Sequence, residues 1–148
     1  ATGHGHSHHR EVVQVPLVIS GAGLAPGRRG DVVSLADVPG TLLGVAGVPG
    51  EADLLGGEGD PERVVTTQGN AYFWQQRSAW GLGVHAIVSA RDETPRCWFV
   101  EDDPWEQEGV VCEAGHPVGV AARSVRAPMA GGEAEVAEGA LRALGYVE

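Results

Sequence analysis

Four histidines fall within six residues near the start of the chain, in Gly3-His4-Gly5-His6-Ser7-His8-His9. Imidazole changes charge nearest neutral pH, so such a run can ligate a metal, carry a proton or steady an anion. A zinc site would use the i, i+4 pair His4 and His8, or His6 with His9. Glycines at 3 and 5 weaken any helix there, and no matching cluster of cysteines or acids follows. An affinity tag runs its histidines consecutively, whereas Gly and Ser interrupt this run.

Three further groupings carry chemical potential. Cys97 and Cys112 are too few for a disulfide framework. They either pair across the short loop between them or remain free thiols. Cys112 and His116 have a spacing that a nucleophile and its base can use, but a lone C-x-x-x-H is a weak signal. Asp102, Asp103 and Glu106 bring carboxylates together, yet the stretch lacks the alternating acids and the glycine of an EF-hand loop. A turn at Asp103-Pro104 is the plainer reading. Trp74, Trp80, Trp98 and Trp105 lie on or beside expected strands and are read as core rather than as a sugar-stacking platform.

These groups need elements to hold them. Val12 to Ser20 is a nearly continuous β-branched run and predicts a strand buried on both faces, with Pro16 near its start or at an edge. Ser34 with Asp37 forms a capping-box variant. Leu35, Val38, Leu42 and Val45 follow at helical spacing, and Gly47 stands at the C′ position. Residues 50–61 are polar and Gly-rich and read as a linker. Strands are expected at Arg63–Gln68, Ala71–Trp80, Gly83–Ala90 and Arg96–Glu101, joined as an antiparallel meander. Residues 102–132 read as irregular, and Glu133–Leu144 as a final helix closed by Gly145. A doubly buried strand belongs inside a helix-covered parallel sheet, and no other strand offers itself as its partner, so the chain is expected to be truncated.

The whole-chain totals narrow the function. A length of 148 residues suits one core. Net charge is −10 and all ten basic residues are arginines, a balance that repels nucleic acid and anionic membrane. No apolar run approaches the roughly eighteen residues of a transmembrane helix, and no signal peptide is visible.

Longer stretches resemble the sulfatases of the alkaline phosphatase superfamily. VPLVISGAGLAPGRRGDVVSLADVPGTLLGVAGVP is similar to the family's "VPLII.GPG…VSL.DL.PTLL.LAG.P". Trp98-Phe-Val-Glu-Asp-Asp-Pro-Trp-Glu-Gln107 resembles its "LYDL..DP.EQ.N", and the closing ALRALGYVE resembles its usual end. The three occur in the family's order and span nearly the whole chain.

The resemblance implies an α/β, alkaline-phosphatase-like fold in two parts. Residues 1–49 would be the tail of a large mixed-sheet catalytic domain. Residues 62–148 would be a small C-terminal subdomain with a four-stranded antiparallel sheet and a terminal helix. Gly3-His4-Gly5-His6-Ser7 matches the family's "GHG.S", which puts His4 at or beside the position where relatives contact sulfate or phosphate. Ser7 would cap a short helix leading into the strand, and His6, His8 and His9 have no role in the pattern.

The chain departs from the family by lacking the C-x-P-S-R nucleophile motif, the upstream acidic metal ligands and the Asp-His pair. It also reads His85-Ala-Ile-Val where relatives often carry a Lys. The implied parent cleaves sulfate esters of small molecules or glycans with Ca²⁺ and formylglycine, both held in the missing N-terminal part. Its compartment stays open, a periplasmic or secreted parent being one option, and the 148 residues alone would be inactive. A related phosphodiesterase or phosphotransferase stays open as an alternative, as does a non-catalytic module that binds a glycan or a protein.

Overall fold

The computed structural model describes residues 7–21, 23–48, 54–56, 59–69 and 75–125. His4, Trp74 and the expected helix at Glu133–Leu144 lie outside the described residues. The fold is mixed α/β, with an antiparallel sheet of five strands in sequential order. The strands are β1 (Val65–Gln68), β2 (Gln76–Gly81), β3 (Val84–Ser89), β4 (Asp92–Phe99) and β5 (Val110–Val111). Two-residue links join β2 to β3 and β3 to β4. Gly81 pairs with Val84, so β2 and β3 are joined by Leu82 and Gly83 alone. Both carry positive φ, the backbone twist that a two-residue hairpin needs.

Register sorts the side chains onto two faces. Ala79, Val84, Ala86, Val88 and Cys97 lie on one. Helix α3 (Pro117–Ser124) covers it with Val118 and Ala122, and these residues form the hydrophobic core. Cys97 is bonded to Cys112, tying β4 to the stretch that leads into α3. The question the sequence left open is thus answered by pairing.

Two expectations need correcting here. The sheet has a fifth, two-residue strand, and residues 102–132 hold a helix, α3, where irregular chain was expected. Proline at the first helical position loses no hydrogen bond, so Pro117 opens the helix instead of breaking the chain into a loop.

The N-terminal half departs further. Val12–Ser20 is not a buried strand. A four-residue helix, α1 (Arg10–Val13), takes its beginning, and a run without regular secondary structure follows. Val15, Leu17 and Ile19 are exposed, and Val18 is 87% exposed. Pro16 offers no N–H to a ladder, and no described strand lies alongside to supply one.

Helix α2 (Asp37–Val45) forms in the expected stretch but starts later, with Ala36 rather than Ser34 at its N-cap. The Asp37 carboxylate accepts the Ser34 N–H at 2.8 Å, the acidic half of a capping box. Gly47, at φ +78°, closes the other end: its N–H reaches the Gly44 carbonyl, and the Val48 N–H reaches the Leu43 carbonyl. The expected apolar stripe does not pack, however. Leu35, Leu42 and Val45 are exposed, and the helix docks instead through Asp37 and Thr41, its two buried residues. Arg63, just before β1, grips both Asp37 oxygens at 2.7 and 2.8 Å and holds that carboxyl below the usual range. The Thr41 hydroxyl accepts the Leu54 N–H, so part of the expected linker is bonded back onto α2.

Candidate functional site

The second face of the sheet carries Ser78 and Trp80 from β2, His85 from β3 and Trp98 from β4. Strand alternation puts them together: His85 stands opposite both Trp80 and Trp98, with ring centroids 4.7 and 6.3 Å apart. Helix α1 and the residues before it lie on this face, and the turn after β4 closes over it. Gly109 makes that closure. A Cβ there would stand 2.4 Å from the Trp98 indole, so only glycine lets the chain pass flat across the ring.

Glu106 is the centre of the arrangement. Its backbone is left-handed, φ +53°, an unfavourable conformation for a residue with a Cβ. That turn aims the carboxylate inward, where it accepts three hydrogen bonds. His85 Nδ1 lies 2.6 Å from Oε1, His9 Nδ1 lies 3.0 Å from Oε2, and the Arg10 N–H donates to Oε2 at 2.8 Å. Burial alone would raise the Glu106 carboxyl, but these donors outweigh it and hold the group down to about 2. The expected Ser7 cap of α1 does not form. His9 is the N-cap residue, without a side-chain cap, and the Glu106 carboxylate supplies the acceptor from 96 residues away.

His8 enters the same face beside this group. Its Nδ1 lies 3.0 Å from the Ser78 hydroxyl and its Nε2 2.8 Å from the Gly69 carbonyl, while its own N–H donates to Gln76 Oε1. Because the Gly69 carbonyl can only accept, Nε2 carries a hydrogen, and neutral His8 offers Nδ1 to the serine. Burial pushes this imidazole below its ordinary value. His9 moves the other way, raised chiefly by its hydrogen bond to Glu106. Arg10 completes the seam, bonding the Pro104 carbonyl at 3.2 Å and lying over the Trp80 ring at 5.9 Å.

The arrangement ties the N-terminal segment to the sheet and to the turn after β4. Ser78 and His8 have the spacing of a nucleophile and its base, but each is 2% exposed, and His85 is fully buried. A cavity of about 450 Å³ is lined by Ser78, Trp80 and His85 together with Val13–Val15 of the N-terminal segment and Val65–Thr67 of β1. His85 Nε2 has no partner among the described residues.

Of the residues singled out from sequence, Glu106 has a role quite different from its acidic neighbours. Asp103 Oδ2 accepts the Glu108 N–H in the turn, as the plainer reading of that stretch expects. Cys112 is closed in its disulfide and is no nucleophile for His116. Trp98 is buried as expected, whereas Trp105 is 81% exposed. His8 and His9, without a role in the family pattern, are bonded respectively to β2 and to Glu106 in the turn after β4. No motif marks the His9–Glu106–His85 group, since its members are drawn together from three separate segments.

No helix among the described residues is long and apolar enough to cross a membrane. Compared with known proteins, the chain matches no family model, no curated protein and no solved structure.

Proposed function

We propose that the chain is the C-terminal part of a sulfatase-like hydrolase of the alkaline phosphatase superfamily, inactive alone. The observation that carries this reading is the exposed apolar surface of the N-terminal half. The run Val15–Ile19 and the stripe of α2 lie in the two stretches that resemble the family's "VPLII" and "PTLL", and both face solvent. In a complete enzyme of this kind they would be covered by the large domain. Fully burying each such side chain is worth roughly 1.5–3 kcal/mol, so a well-packed domain rarely leaves so many out. The antiparallel meander with a helix on one face suits the small C-terminal subdomain.

The described residues do not fit a Ca²⁺ site. No group of three His, Cys, Asp or Glu among them can hold a metal, and Glu106 is already occupied by three donors. Ca²⁺ and formylglycine would both belong to the N-terminal part, because Cys97 and Cys112 are joined to each other. In this chain His4 is the residue assigned to the sulfate, where a cationic or hydrogen-bonding group offsets charge on the leaving oxygen. The disulfide persists best in an oxidising compartment, which suits a periplasmic or secreted parent.

The test is to express the complete reading frame and assay an aryl sulfate beside an aryl phosphate diester. Sulfate hydrolysis weakened by His4→Ala supports the reading. Diester hydrolysis alone would move the assignment to a sister phosphodiesterase. One observation favours a binding module instead, namely the exposure of Trp105. Binding of the isolated chain to a sulfated polysaccharide, lost in Trp105→Ala, would favour that second reading.

A further inference from the structure

We propose that the His8–His9 segment is a pH-set latch, closed onto the sheet near neutral pH and loosened by both acid and base. The inference stands on the geometry of the seam and does not depend on the sulfatase reading.

Two neighbouring imidazoles meet opposite surroundings. The hydrogen-bond partners of His8 are neutral, namely Ser78 and Gln76 of β2 and the Gly69 carbonyl after β1. The nearby titratable group is another imidazole, His85 of β3. A proton added to His8 would bury a cation there with no carboxylate bonded to it. His9 instead faces Glu106 from the turn after β4, with Glu11 on its own helix and the Trp98 edge 5.1 Å away. A proton added to His9 completes an ion pair. Glu106 is itself faced by His85 and the Arg10 N–H, and Asp103 lies near it in the same turn.

The signs then oppose. His9 is raised, so its contribution is fully present below the ordinary imidazole value of 6.5 and is lost as pH climbs through its higher folded value. His8 is lowered, so its contribution is intact above 6.5 and is lost as pH falls toward its lower folded value. Each proton acts on the same few residues. Docking of residues 8–13 therefore passes through a maximum near neutrality, and Glu106 adds a separate loss only below 4.5.

The experiment is an NMR titration of the full chain. It follows the histidine rings together with exchange protection of the Arg10, Val12 and Val13 amides, corrected for intrinsic exchange. Those amides donate to Glu106 Oε2 and to the His9 carbonyl, so they report latch closure. The expected result is protection that peaks near neutrality and falls at least about threefold on each side. His9→Gln should abolish the alkaline fall, and His8→Gln the acid fall above pH 4.5, below which protonation of Glu106 adds its own loss. If either variant undocks the segment, the wild-type rings decide, with His8 titrating below and His9 above the ordinary value. Protection without a maximum, or both rings titrating together at that value, overturns the proposal.

Discussion

Glu106 Oε1 stands 2.6 Å from His85 Nδ1, joining a turn at the sheet's end to a fully buried side chain within the sheet. The same carboxylate holds His9 and caps α1. One side chain therefore fastens the N-terminal segment, the turn and the sheet together.

Glu106→Ala should cost about 1–3 kcal/mol, because it strands the buried His85 donor and the Arg10 N–H. Glu106→Gln should cost less, since its amide oxygen still accepts a hydrogen bond. Urea unfolding midpoints of the two variants against the parent chain measure the difference. Equal midpoints for all three would mean the carboxylate holds nothing.

Acid should act through the same group. The Glu106 carboxyl sits near 2 in the folded chain against 4.5 ordinarily. Its contribution is present above 4.5 and is lost as pH falls from there toward 2. Stability measured across that window should drop more steeply in the parent than in Glu106→Gln. Parallel curves would contradict the assignment.

Gly109→Ala should destabilise by about 1–3 kcal/mol through overpacking against Trp98. The indole is wedged on the sheet and cannot swing aside as a flexible side chain would. A change in tryptophan emission should accompany the loss of stability.

The disulfide should contribute about 3 kcal/mol, the value expected for a closed loop of this size. Reduction, or paired Cys97→Ser and Cys112→Ser changes, should lower the unfolding midpoint and loosen α3 before the meander. Exchange protection in Val118–Ala122 reads that order.

What was legible in the sequence was local. The meander came from β-branched runs broken by short links, and α2 from Ser34, Asp37 and Gly47, whose effects reach only a few residues. Burial was less legible. The run at Val12–Ser20 and the stripe of α2 have the composition of buried elements, but composition does not say whether a partner surface is present. The seam was beyond such reading. His9 and Glu106 are 97 residues apart, and Glu106 turns inward only because its backbone is left-handed, which nothing in Trp105-Glu-Gln announces. The histidine run was visible, but nothing in it announced that His8 and His9 would be bonded across the chain, to β2 and to Glu106.

The exposed apolar surface returns the question to what precedes it in the gene. The most direct measurement is the DNA sequence immediately upstream of the codon for Ala1. The account predicts an open frame encoding an Asp-His pair nearby and a C-x-P-S-R-like nucleophile motif further up. A start codon just before Ala1, or an upstream frame without those motifs, would contradict it.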